Sequence, residues 1–264
     1  LERKVLATIA ADLIGREAPA PDRMPWRPWL HGVMPETRAW PFAPRHEGLW
    51  AWFEDLQPNV RPPARIEDWP RGGAKSSTVE LGTSYAGMTG RRTFALYVCG
   101  TQTKADAHLQ AIAGVLERAG MERAVNRYNQ SKGWTQQRLR AANGFNVVSF
   151  GLDAGSRGIK LDSYRPDLII FDDVDDRHDS LAAAQRKIET MTESIMPAGA
   201  ADCAILFVQN TIHADSVMAQ LIDGRAKFLL ARDPIRVEPA AHGLVYEERA
   251  QADGTPHYAI IGGA

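Results

Sequence analysis

A lysine followed by a hydroxyl residue, set just after a cluster of small residues, is what a phosphate group asks of a polypeptide. The run Pro70-Arg71-Gly72-Gly73-Ala74-Lys75-Ser76-Ser77 has that order. Small residues let backbone N–H groups converge on phosphate oxygens, a lysine neutralises the β- and γ-phosphates, and a hydroxyl ligates Mg²⁺. Here Gly72, Gly73 and Ala74 supply the small residues, Lys75 the charge and Ser76 the hydroxyl, with Ser77 following. Against the pattern G-x-x-x-x-G-K-[ST], Trp69 stands at the first glycine and Ala74 at the glycine before lysine. Alone, the segment reads equally well as a glycine-rich turn opening a helix. The preceding ARIEDWP also makes a poor strand.

A second signal is Leu168-Ile169-Ile170-Phe171-Asp172-Asp173, an apolar run ending in two acids. In a nucleotide-hydrolysing site the first acid, Asp172, holds Mg²⁺ through water and the second, Asp173, orients the attacking water. Asp175 and Asp176 are alternatives for that second role. The bland reading is a buried strand followed by a solvated acidic loop, DDVDDRHDS. Taken together and in this order, the lysine loop and the acidic strand end point to a site for ATP and Mg²⁺.

Two arginines could stabilise charge on a transferring phosphoryl group. Arg157 lies in the glycine-rich Gly155-Ser156-Arg157-Gly158 and could reach across a subunit interface, although a surface arginine on a turn is the ordinary alternative. Arg71 would act within its own subunit. A third apolar run, Ile205 to Val208, ends in Gln209, Asn210 and Thr211. Asn210 and Thr211 are candidates for sensing the γ-phosphate, while Asp215 reads as the N-cap of the helix SVMAQLIDG, paired with His213.

These groups must be positioned by an alternation of elements. FALYVCG, FNVVSFGL, DLIIFDD, CAILFVQN and KFLLARD read as strands. KSSTVELGTSYAGM, ADAHLQAIAGVLERAG and SLAAAQRKIETMTESIM read as helices, the last with Leu181, Ile188, Met191 and Ile195 on one side. Strands apolar on both faces imply a mainly parallel α/β sheet with helices on both sides, whose ligands bind at the strands' carboxyl ends. The first seventy residues are rich in proline and tryptophan, with EGLWAWFEDL the best helix among them. The expected organisation is an arm over residues 1–41, an ATPase core over 42–224, and a last strand with a lid or linker over 225–264. In that last part GLVYEERAQADGTPHYAII reads as a hairpin turning at Asp253-Gly254.

Composition bounds the rest. The chain has 264 residues, 44% hydrophobic and 24% charged, with a formal net charge of −1. That charge neither requires nor excludes a nucleic-acid partner, since only one surface need be basic. Two cysteines make neither a disulfide framework nor a zinc quartet. No run of eighteen uncharged apolar residues is present, so no membrane span is expected.

The combination of motifs resembles a family, the large subunits of phage DNA-packaging terminases. PRGGAKSS resembles their deviant Walker A loop, SRG with RPDLIIFDD their arginine loop and Walker B segment, QNTIHADSVMAQL their coupling motif, and PRHEGLWAWFEDL the segment near their adenine pocket. The resemblance runs from about Phe42 to Leu221. It implies an additional-strand, RecA-like P-loop fold that hydrolyses ATP to drive double-stranded DNA into a procapsid. It also implies a homo-oligomeric ring on a portal protein, a small terminase subunit as partner, and action in the host cytoplasm. That family carries a C-terminal nuclease domain, for which this sequence leaves no room, so either an isolated ATPase domain or part of a protein whose nuclease lies outside this sequence is expected. One departure concerns the catalytic carboxylate, a glutamate in the family and Asp173 here. Two rivals remain: a RecA-like helicase or translocase, and a nucleotide-dependent binding module that does not hydrolyse. A nuclease built on Asp172, Asp173, Asp175 and Asp176 is a weak third, because four acids on one short loop are too local for a two-metal site.

Overall fold

The computed structural model describes residues 24–39, 41–126, 128–130, 132–154 and 164–226, together with the backbone of three strands beyond them. Arg157 and its loop, the KFLLARD segment and the turn at Asp253-Gly254 lie outside the described residues.

Seven strands form one sheet: β1 (Arg65–Asp68), β2 (Phe94–Cys99), β3 (Arg138–Arg140), β4 (Asn146–Gly151), β5 (Leu168–Asp172), β6 (Ala204–Gln209) and β7 (Arg236–Val237). Their order is β3-β4-β2-β5-β6-β1-β7. Every neighbouring pair is parallel except β3 with β4. All residues of β2, β5 and β6 are buried, as a sheet covered on both faces demands.

Alternation within these strands feeds two cores. Tyr97, Ile170 and Leu206 face a core shared with α1 (Trp26–Val33), α2 (Pro44–Asp55), α3 (Lys75–Met88) and α4 (Gln102–Arg118). Leu96, Val98, Ile169, Phe171 and Phe207 face the other, covered by α5 (Leu181–Thr190) and α6 (Val217–Ile222). The tryptophans of the proline-rich segment have a structural role. Trp26 stacks on Trp50 at 4.9 Å, and Trp29 meets Tyr85 edge-on at 5.3 Å.

The strand order decides the fold. β6 lies between β1, which leads into the lysine loop, and β5, which ends in the acids. A strand inserted between those two defines the additional-strand P-loop architecture, and the chain has that α/β fold.

Three elements differ from expectation. ARIEDWP does contain a strand, because its polar residues pair with one another: Arg65 Nε donates to Glu67 Oε1 at 2.5 Å and Trp69 Nε1 to Glu67 Oε2 at 2.7 Å. The antiparallel edge strand β3 carries no signal in the sequence, three residues being too few to show a period. In the helix after the acidic loop, Met191 and Ile195 are buried but Leu181 is 44% exposed. Leu181 opens α5, and a π turn over Met191–Ile195 then shifts the buried stripe. The hairpin does form, from β8 (Val245–Ala250) and β9 (Pro256–Gly262) in antiparallel pairing. Among the described residues no helix is long and apolar enough to cross a membrane.

Candidate active site

The lysine loop grows out of β1 and ends at the first turn of α3. Trp69 N donates to the Gln209 carbonyl at 3.0 Å, continuing the β1–β6 pairing to the root of the loop. Trp69 fills the position of a motif glycine by turning fully inward, bonded to Glu67 and packed edge-on to His46 at 5.0 Å. Gly73 N closes a turn on the Pro70 carbonyl at 3.3 Å. Gly72 at φ +78° and Ala74 at φ +55° take left-handed backbone there. Such geometry turns successive N–H groups toward one concavity, an anion cradle at a helix N-terminus. For alanine it carries strain that glycine would not.

His46 is a member of this loop that the residue pattern did not single out. Its Nδ1 accepts from Ala43 N at 3.1 Å, so Nε2 carries the proton and donates to the Gly73 carbonyl at 2.9 Å. The first turn of α2 is thereby tied to the cradle. Nothing in the local spacing announces a bond between residues twenty-seven apart.

At the tip of β5 the two acids part company. Asp172 is wholly buried. Its Oδ2 accepts the Tyr97 hydroxyl at 2.7 Å and lies 3.8 Å from His108 Nε2. Its Oδ1 is buried with no hydrogen bond. Loss of hydration pushes the Asp172 carboxyl above its ordinary range, with His108, Tyr97 and Ser76 working against that and Asp173 adding to it. His108 loses hydration too. Its bond to Glu80 Oε1 at 2.7 Å and the nearby acids outweigh that loss, so its pKa is raised.

Asp173, by contrast, is 40% exposed and faces the Lys75 ammonium at 3.8 Å, with Lys75 only 11% exposed. Its backbone is left-handed at φ +46°. Gly100 makes this bend possible: its N donates to the Asp173 carbonyl at 3.1 Å, and a Cβ there would sit 2.9 Å from the Val174 oxygen. Gly100 is a second residue that sequence reading passed over, although a glycine closing a buried strand was a visible signal.

Among the described residues no three His, Cys, Asp or Glu side chains gather into a metal cage. A buried carboxylate oxygen whose lone pairs accept no hydrogen bond, beside a serine at a helix N-terminus, suits Mg²⁺, which takes few protein oxygens and completes its shell with phosphates and water. The residues present therefore fit the metal.

The other acids of the loop have structural work. Asp175 accepts Val217 N at 2.8 Å and Met218 N at 3.1 Å and is bonded by Gln209 Nε2, while Gln209 Oε1 accepts Val174 N at 3.0 Å. This corrects the reading of Asp175 as a water-aligning group, since both of its oxygens are engaged by the start of α6 and by Gln209. It also corrects Asp215: the N-cap of α6 is Ser216, whose hydroxyl accepts Ala219 N at 3.2 Å, while Asp215 pairs with Arg225 at 3.0 Å. Asp176 is exposed, and its Oδ1 accepts His178 N at 3.0 Å in a local turn.

Thr211 is tied to the lysine loop's root. Its N and Oγ1 both donate to the Asp68 carboxylate, each at 2.9 Å. Asn210 Nδ2 reaches only the Thr211 carbonyl, at 3.4 Å. Arg71 and Ser77 are exposed on the loop and at the head of α3.

No family model and no curated protein matches the chain. Among solved structures it is similar to the large terminase ATPase domain of Thermus phage P74-26, at 13% identity and a TM-score of 0.42, over 67% of this chain and 68% of that one. A point mutant of the same domain is similar at 14% identity and 0.43, with the same coverage. The strand order and the loop geometry, not this likeness, establish the fold.

Proposed function

We propose that the chain is a Mg²⁺-dependent ATPase serving as the motor domain of a terminase-like machine that translocates double-stranded DNA. The observation that carries the ATPase reading is the buried, half-bonded carboxylate of Asp172, set across one strand from a left-handed loop headed by Lys75 and Ser76. Backbone N–H groups of Gly72, Gly73 and Ala74, with Ser77 at the rim, bind the phosphates, and Lys75 neutralises the γ-phosphate. Ser76 and Asp172 would hold Mg²⁺, which when bound would supply neutralisation of the phosphate charge. Asp173 leaves its pairing with Lys75 as the phosphate arrives and aligns the attacking water. Arg71 in cis, or Arg157 from a neighbouring subunit, stabilises the charge that develops. Thr211, joined to Asp68 at the root of the loop, and Asn210 beside it carry the loss of the γ-phosphate to β6 and α6.

The DNA half of the proposal rests on the four segments that resemble terminase motifs in order and combination. A homo-oligomeric ring on a portal, with double-stranded DNA and a small terminase subunit as partners in a phage-infected cell, follows from that resemblance.

The deciding experiment measures phosphate release from Mg²⁺-ATP by the chain and by Lys75→Ala, over a wide range of protein concentration. Turnover that needs Lys75 and rises more than linearly with concentration supports a ring ATPase with an arginine acting in trans. Turnover untouched by Lys75→Ala would place the active site elsewhere.

A further inference from the structure

The two oxygens of Asp172 are not equivalent, and the difference is imposed from behind. On β2, the neighbour of β5, Tyr97 is wholly buried and spends its hydroxyl on Oδ2 at 2.7 Å. His108, on α4, stacks its ring on Tyr97 at 5.1 Å and 27°, so the phenol cannot swing away without displacing it. His108 is pinned in turn by Glu80 on α3 at 2.7 Å, and its Nε2 stands 3.8 Å from the same Oδ2. One oxygen is thus held by a hydrogen bond with a ring behind it, while Oδ1 is buried and bonded to nothing. A carboxyl left to itself turns about its last torsion, which is broad and roughly two-fold. Here that freedom is removed.

We infer that Tyr97 is a positioning residue for the metal: it fixes the orientation of the Asp172 carboxylate so that the oxygen it does not bond is left open to the metal, with His108 and Glu80 as the brace that keeps it in place. The inference rests on the ATP-site reading above. The brace begins on α3, the helix that opens with Lys75 and Ser76. The cradle and the metal-facing carboxylate are therefore set by one chain of contacts, Glu80 to His108 to Tyr97 to Asp172. Partners of this kind, which orient a metal-facing group without touching the metal, tune metal affinity in general.

The test follows binding of a fluorescent ATP analogue to the full chain as Mg²⁺ is titrated, with a second series in EDTA and a thermal melt of each variant. Tyr97→Phe removes one oxygen atom and keeps the ring. The Mg²⁺ midpoint is expected to rise about tenfold for Tyr97→Phe and by a smaller factor for His108→Gln, as outer-sphere partners do. Binding in EDTA should be unchanged, because the cradle is untouched. A Tyr97→Phe protein that melts lower yet keeps the wild-type Mg²⁺ midpoint would show a packing role alone and overturn the inference. Asp172→Asn is the reference. If its midpoint also fails to move, the error lies in assigning Asp172 to the metal, and the positioning role falls with it.

Discussion

Two buried acids three residues apart, Asp172 and Asp175, show how the same side chain serves opposite ends. Both oxygens of Asp175 are engaged: two backbone N–H groups of α6 and the Gln209 amide donate to them. Asp172 is half spent, with one oxygen on Tyr97 and the other on nothing. Burying a carboxylate costs free energy, and hydrogen bonds to the charged form are what offset it. Where the offset is complete the acid is structural, here a clasp joining the ends of β5 and β6 to the start of α6. Where it is left open, the fold has carried an unmet cost that a ligand can satisfy.

The sharpest test of that contrast is Asp172→Asn. Turnover of Mg²⁺-ATP should fall by roughly a thousandfold or more, since the metal's stabilisation of transition-state charge is worth several kcal/mol at about 1.4 kcal/mol per decade. Folding should suffer little. The Asp172 pKa is raised by burial, so its stabilising effect is complete below the ordinary carboxylate range and is lost as pH rises through the raised value. In metal-free solution the variant should therefore gain on the wild type as pH climbs toward neutrality, in denaturant melts run at several pH values. A variant that unfolds at every pH would place Asp172 with Asp175, among the clasps.

Asp175→Ala should do the reverse. It strands two helix N–H groups and an amide, and each unmet buried group costs about 1–3 kcal/mol. A loss of about 3 kcal/mol or more in urea is expected, with the remaining folded protein still binding nucleotide. Selective loss of turnover with stability intact would return Asp175 to the candidate bases.

How much of this was visible beforehand follows from what each group bonds to. β5 and β6 are apolar throughout and read directly as buried strands. β1 could not be read that way, because its burial depends on Arg65, Glu67 and Trp69 satisfying one another, a property of contacts and not of composition. The lysine loop and the acid pair were legible as residue types in order. The partners that set them apart were not: Tyr97, His108 and His46 come from other elements, and each reads in sequence as an ordinary core or helix residue. Asp215 looked like a cap because it precedes an apolar run by two residues. Ser216, one residue nearer, took the place.

Thr211 tests a tether of intermediate kind, satisfied yet at the root of the loop. Thr211→Val keeps the shape and removes the hydroxyl, leaving Asp68 with the Thr211 N–H alone. The loss in stability should be about 0.5–1.5 kcal/mol, the net worth of one hydrogen bond. If the tether carries the signal of phosphate loss, turnover falls severalfold while the affinity for a non-hydrolysable analogue holds, by single-turnover kinetics against equilibrium binding. Affinity and turnover falling together would make Thr211 a support for the loop only.

The smallest effect asks whether strain, like an unmet bond, is a cost kept for function. Ala74 sits at φ +55°, ψ 26°, at the head of α3, where its Cβ crowds the following carbonyl. Relief of that contact is worth about 1–2 kcal/mol per residue, and the extra freedom of glycine in the unfolded chain takes back about 0.5–1 kcal/mol. Ala74→Gly should therefore gain a few tenths to about 1 kcal/mol in denaturant melts. A net loss would mean that the methyl group packs better than its backbone suggests. If the gain appears and nucleotide affinity is unchanged, the strain has no function, and the contrast between Asp172 and Asp175 stands on hydrogen bonding alone. If affinity falls as stability rises, the alanine holds the cradle in its phosphate-ready shape, and loop and carboxylate are two instances of one rule: the site keeps what the rest of the fold has relaxed.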